Sequence, residues 1–167
     1  PRFMSEYGFQ SFPEFNSVKK YTSPEDYDIY SEVMKSHQRS SIGNVTIEDY
    51  MKRYYKEPKD FENLLYVSQL LQADGVNIGI EAHRRNKDRC MGSLYWQLND
   101  CWPAVSWSSI DYYGKWKALH YSAQKSFRNY LVSYESSDDS VKVFVVSDSI
   151  HAIEANLKTH LIDFDGN

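Results

Sequence analysis

A chain of 167 residues with 41% hydrophobic side chains and a formal charge of −4 has material for about one hydrophobic core. A mean hydropathy of −0.64, with no apolar run near the ~18 residues that a bilayer span needs, argues against membrane insertion, and the lack of a clustered Lys/Arg face argues against a nucleic-acid partner. The 16% aromatic content suits sugar binding, because ring faces offer apolar area to pyranose C–H groups while Tyr OH and Trp NH supply polar edges; core packing draws on the same residues.

The chain opens on Pro1 rather than Met, without a charged-then-apolar leader, so a fragment is expected and no compartment can be read from it. PRFMSEYGFQSFP begins as a short apolar strand and turns polar and aromatic before Pro13. Thr22-Ser23-Pro24-Glu25-Asp26 marks a helix start, with a capping hydroxyl, Pro in the first turn and two acids at the positive helix end. That helix is expected to run to about Ser40. Gly43-Asn44 reads as a turn, and Thr46 with Asp49 resembles a capping box opening a shorter helix to about Lys56.

After a break at Pro58, Phe61, Leu64, Leu65, Leu71, Val76 and Ile80 recur at helical spacing across residues 60–86. Gly75 and Gly79 each weaken that helix by about 1 kcal/mol relative to Ala, which predicts a kink or close packing. RCMGSLYWQL (89–98) is the next strand, apolar enough for burial on both faces, as parallel barrel strands are. A Trp-rich loop spans 99–114, and a last helix over about 115–127 places Trp116, Leu119, Ala123 and Phe127 on one side. Strand, helices, strand, helix make a βαβα unit of the α/β class. Residues 133–140 are polar and acidic, after which VKVFVVS and ANLKTHLIDF alternate as strands do. A boundary is therefore expected near 135, dividing 1–134 from a linker and second-domain start over 135–167. Asp165-Gly166-Asn167 would suit a hairpin turn.

Glu6 closes the first strand and WQLNDCW (96–102) closes the second, so a carboxylate, indoles and an amide meet at one rim, where barrel folds place catalytic groups. Read alone, Glu6 could equally be a solvated strand end, and each Trp could be packing. Cys90 and Cys101 lie some 30 Å apart if the chain between them is extended, too far for a disulfide. The histidines show no i, i+4 pair that would suggest a metal site. His37-Gln38-Arg39, and Glu81 with Arg84 and Arg85, read as helical ion-pair clusters of small net value. Ser106-Trp107-Ser108-Ser109 lacks the glycines of a nucleophile elbow.

SEYGFQSFP (5–13) and GSLYWQLNDCWPAVSWSSIDYYGKWKALHY (92–121), with HQRSSIGN and YVSQLLQADGVNIGIEAHRRN between them, resemble β-mannosidases of glycoside hydrolase family 2 over about residues 1–131. The resemblance implies a TIM (β/α)8 barrel in which Glu6 ends strand seven, Trp96 ends strand eight and helix eight follows. An immunoglobulin-like β-sandwich would then begin at Val141. It implies a retaining mechanism with Glu6 as nucleophile, which needs a second carboxyl about 5 to 5.5 Å away. Arg2 and Tyr7 are local groups that could keep Glu6 ionised. Trp96 would form part of the sugar pocket, with Tyr7, Asn99, Asp100 and Trp102 beside it, and no cofactor or metal is implied.

The departure from the family pattern is the acid/base glutamate, which belongs to an Asn-Glu pair on strand four; this chain has no Asn-Glu dipeptide. The acid/base is therefore expected upstream of Pro1, and the chain alone is expected to be inactive. The implied partner is a β-mannoside-containing oligosaccharide or glycan, with self-association through exposed strand edges as a further expectation. Alternatives are a family 2 glycosidase for β-linked galactose, glucuronate or glucosamine, or a non-catalytic carbohydrate-binding module.

Overall fold

Helix α4 (Phe61–Arg85, 25 residues) organises the chain. In the computed structural model, which describes residues 1–166, Asp60 caps it by accepting from the Asn63 N–H at 2.8 Å, and His83, Arg84 and Arg85 in its last turn suit the negative helix end. The last residue of the expected Asp165-Gly166-Asn167 turn lies outside the described residues. Leu65 and Leu71 pack into one core with Phe12, Val18, Met34, Ile47 and Val105, whereas Val76 and Ile80 pack into a second with Leu119 and Ala123. The helix runs unbroken through both glycines because they are packing sites. A Cβ on Gly75 would stand 3.7 Å from the Phe9 ring, and one on Gly79 only 3.0 Å from the Tyr7 ring.

Four short helices surround this axis: α1 (Phe15–Val18), α2 (Glu32–Ser36), α3 (Gly43–Tyr54) and α5 (Ala118–Ser126). The continuous helix expected over 22–40 is instead a capped 3-10 turn, Pro24–Asp26, followed by α2. Tyr27 leaves helical geometry at ψ 57°, so that its ring stacks on Phe61 at 5.3 Å while Ile29 enters the core. Tertiary packing outweighs a good cap and a modest propensity there. The turn expected at Gly43-Asn44 is the first turn of α3, and Thr46 bonds back to the Ile42 carbonyl inside that helix at 2.8 Å. Helix α5 buries Leu119 and Ala123, but Trp116 and Phe127 fall outside its ends and stay partly exposed.

Residues 2–7 and 91–96 lie side by side in parallel. Met4 N–H donates to the Gly92 carbonyl and Leu94 N–H to the Met4 carbonyl, both at 2.9 Å, with Met91 N–H reaching the Arg2 carbonyl at 2.8 Å. The next bond in a regular ladder would join Trp96 N–H to Glu6; it joins Tyr7 instead, at 2.7 Å. One extra residue is thus accommodated between Met4 and Tyr7, as in a β-bulge. The burial of 89–98 on both faces is not met. Leu94, Trp96 and Leu98 are exposed while Ser93, Tyr95 and Gln97 are half-buried, so this segment covers α4 and α5 on one side and leaves the other open.

After α5 come β1 (Tyr130–Ser137) and β2 (Ser140–Ser147), an antiparallel hairpin in which Val132 faces Val145 and Tyr134 faces Val143. The residue 135 boundary falls inside β1. Arg84, buried at the end of α4, holds the hairpin base through Asp148 at 2.6 Å and the Arg128 carbonyl at 2.8 Å. Ser133 receives Arg85 at 2.5 Å and donates to Glu81 at 2.7 Å. Glu81 and Arg85 pair as expected, at 3.7 Å, whereas Arg84 serves the hairpin. The strand expected over 155–164 does not form, because among the described residues no neighbouring strand takes its backbone groups. Among the described residues no helix is long and apolar enough to cross a membrane.

Candidate active site

Glu6 and Trp96 leave the two paired segments at the same end. Glu6, at the bulge, is exposed and Tyr7 half-buried, and on the neighbouring segment Leu94, Trp96 and Leu98 are exposed as well. Gly8 makes this approach possible: a Cβ there would lie 2.2 Å from the Trp96 carbonyl and 3.2 Å from the Trp107 ring. The peptide joining Trp96 to Gln97 is cis.

An open cavity of about 680 Å³ borders this end, walled by Trp96, Asn99, Asp100, Trp102, Trp107 and Arg39 among others. Its size is in the range of small-molecule sites. Four of the residues expected at the site therefore meet in one place. Tyr7 is turned the other way: its ring packs edge-on against His83 at 5.0 Å and closes on Gly79, and its hydroxyl lies 2.7 Å from Ser93 Oγ. Burial pushes the Tyr7 phenol above its ordinary pKa. Glu6 does not form its wall; it precedes Tyr7, whose carbonyl receives the N–H of Trp96 in that wall.

Asp100 is only 8% exposed. Its Oδ1 accepts from Ser106 Oγ at 2.8 Å and Gln97 Nε2 at 3.2 Å, and its Oδ2 from Ser108 Oγ at 2.5 Å. Lys117 lies behind it, 1% exposed, donating to the Ser11 carbonyl and Ser11 Oγ at 3.1 Å each and to the Ser106 carbonyl at 3.4 Å. Ser11 in turn donates to Gln72 of α4 at 2.7 Å, and Gln72 Nε2 reaches the Phe9 carbonyl at 2.8 Å and the Ser108 carbonyl at 3.2 Å. Asp111 closes the loop by accepting from Ser17 Oγ at 2.5 Å and from the Tyr113 and Lys115 N–H groups at 2.9 Å each. The segment after Glu6 and the Trp-rich loop are thus tied to each other and to α4 by buried, satisfied polar groups, which fixes geometry more than it adds stability. Desolvation lowers the Lys117 pKa to about 8, opposed by Asp100 and Asp111.

Trp102 stacks against His37 at 5.2 Å, and His37 against Tyr21 at 4.1 Å. The Arg39 guanidinium lies over the Trp102 ring, 5.1 Å from its centroid. The 37–39 segment is therefore not the ion-pair cluster expected from sequence. It is the turn that leaves α2, bridged to Val105, with Gln38 bonded to Gln10 and Asn44. Arg39 and Trp107 are among the cavity residues that the sequence did not point to. Trp107 had a signal in the aromatic density of 99–114, whereas Arg39 had none, being sixty-odd residues from its partner ring. Cys90 is buried and Cys101 exposed, both as free thiols.

No family model matches the chain. It is similar to the β-mannosidase of Capra hircus, 37% identical across 95% of this chain and 20% of that protein, and to that of Bos taurus, 40% identical across 82% and 17%. Among solved structures, the β-D-mannosidase of Dictyoglomus thermophilum superposes with a TM-score of 0.86 at 39% identity, covering 89% of this chain and 18% of that one. An exo-chitosanase of Amycolatopsis orientalis, at 24% identity and a TM-score of 0.67, shares the fold over 79% of this chain and 17% of its own. The chain spans about a fifth of the length of the curated relatives it matches. It belongs to the β-mannosidase family and matches one portion of those longer proteins.

Proposed function

We propose that this is the nucleophile-bearing portion of a retaining exo-β-mannosidase, running from strand seven to helix eight of a TIM barrel, with a β-sandwich domain beginning at the hairpin that opens on Tyr130. The observation that carries the reading is that two parallel segments end side by side, with Glu6 and Trp96 both exposed at that end and a cavity rich in indole rings bordering Trp96. The open face is what a barrel interior looks like before its other strands close over it. The exposed apolar face of the hairpin, with Val132, Tyr134, Val143 and Val145, likewise suits the inner side of a sandwich sheet.

In this reading a Glu6 oxygen attacks the anomeric carbon of a terminal β-mannoside. A second carboxyl, supplied outside these residues, protonates the glycosidic oxygen as its bond to that carbon breaks. The resulting mannosyl ester is then cleaved by water, whose proton passes to the same second carboxyl, and mannose leaves with the Glu6 carboxylate restored. Trp96 offers its ring face to the sugar, with Asn99 and Trp102 on the same wall. Asp100 and Tyr7 act from behind, since the oxygens of one and the hydroxyl of the other are already engaged.

The test is hydrolysis of an activated aryl β-mannoside by the full-length enzyme and by this chain. The full-length enzyme is expected to prefer the mannoside over other aryl β-glycosides and to lose at least about 10³-fold in kcat on Glu6→Gln, and this chain is expected to give no turnover. A preference for another sugar, or a Glu6→Gln enzyme with intact kcat, would sink the assignment. Turnover by this chain that Glu6→Gln abolishes would put the acid within these residues.

A further inference from the structure

We propose that Arg39 is a specificity-determining residue of this site, reading acceptor oxygens on the sugar that adjoins the one cleaved; the inference rests on the β-mannosidase reading above. The backbone around Arg39 is held on both sides. Its own N–H donates to the Val105 carbonyl at 3.1 Å, and Val105 N–H donates to the His37 carbonyl at 2.9 Å. Gln38 is fixed by Gln10 at 2.8 Å and Asn44 at 2.6 Å, and the His37 ring by Tyr21, Trp102 and the Pro103 carbonyl, 2.7 Å from Nδ1. From this rigid base the Arg39 side chain lays its guanidinium over Trp102 in the cavity wall.

Among the described residues no carboxylate pairs with it. The other charged group of that wall, Asp100, has its oxygens committed to Gln97, Ser106 and Ser108. A ligand entering the cavity therefore meets a fixed cation with several N–H donors in a planar fork. Such a fork is satisfied by closely spaced oxygens, and the neighbouring hydroxyls of a pyranose supply them. Stacking on an indole pre-orders the guanidinium, so little freedom is lost when it binds. Trp96 is bonded to Tyr7, next to Glu6, and so belongs with the scissile sugar. Trp102 lies further along the loop, against the His37 stack and under the Arg39 guanidinium, where the adjoining sugar would rest.

The experiment uses the full-length enzyme and compares an aryl β-mannoside, which has no second sugar, with β-linked mannobiose. Arg39→Met keeps an apolar stem over Trp102 and removes every donor. Its KM for mannobiose is expected to rise about tenfold, the loss of one hydrogen bond to a charged group. Its kcat and its KM for the aryl mannoside should stay at wild-type values, with Arg39→Lys recovering part of the mannobiose KM. An equal rise in KM for both substrates, or no rise for either, overturns the proposal. A wild-type enzyme inert toward both substrates overturns the β-mannosidase reading itself, and this inference with it.

Discussion

Lys117 has the least solvent of any cation in the chain and the most consequence for how stability responds to pH. Folded, it holds its proton with a pKa of about 8, against 10.5 in an ordinary setting. Between those values the unfolded chain binds the proton that the folded chain has lost, so stability rises with pH through this window, by about 3 kcal/mol over its full width. Tyr7 and Tyr21 act in the opposite sense, because burial pushes both phenols above 10.0 and stability then falls as pH climbs past that value. Urea unfolding across pH 7 to 11 should therefore show a maximum near about pH 10, and Lys117→Met should flatten the rising limb while leaving the fall. A rise that survives the substitution would assign it to another group. At this scale the meeting of Trp96, Asn99 and Trp102 at one cavity was legible, because they lie in one contiguous motif. The saturation of Asp100, the rearward turn of Tyr7 and the place of Arg39 depend on Ser106, Gly79 and Trp102, contacts that no local pattern encodes.

Helix α4 was readable almost to the residue, since its apolar period, its Asp60 cap and its basic last turn all agree. Where local signals were weaker than long-range packing, the reading failed: the cap at Ser23 starts only one 3-10 turn because Tyr27 is needed against Phe61. The two glycines of α4 give a direct test of helix propensity against packing. Replacing Gly75 by Ala adds a methyl at ordinary contact distance from Phe9 and restores helix propensity, so a gain of about 0.5–1 kcal/mol is expected. At Gly79 the same methyl meets the Tyr7 ring at 3.0 Å. There the propensity gain should be cancelled or reversed as the methyl crowds the Tyr7 ring between His83 and Ser93. Chemical denaturation midpoints of the two variants check this, and equal gains at both sites would show that the Tyr7 ring yields freely.

The molecule as a whole exposes more surface than a closed domain of its mass. Its accessible area is 11277 Å² for 19.6 kDa, whereas a self-contained monomer of that size is expected to show about 8,600 Å². The excess, roughly 2,700 Å², exceeds the area that a standard protein–protein interface buries. It includes two apolar regions: the open side of the paired segments, with Phe3, Leu94 and Leu98, and the hairpin face, with Val132, Tyr134, Val143 and Val145. Unpaired strand edges beside such faces recruit partners. The isolated chain is therefore expected to self-associate, with a sedimentation-velocity mass that grows with loading concentration. Leu94→Lys should weaken association through the open side and Val143→Lys association through the hairpin, so that the double variant approaches the monomer mass. On the barrel-and-sandwich reading proposed above, further strands of the full-length enzyme would cover both regions, and neither should then drive oligomerisation. A wild-type chain that stays monomeric over a wide dilution series would show that both faces remain soluble uncovered, and the excess area would need another account.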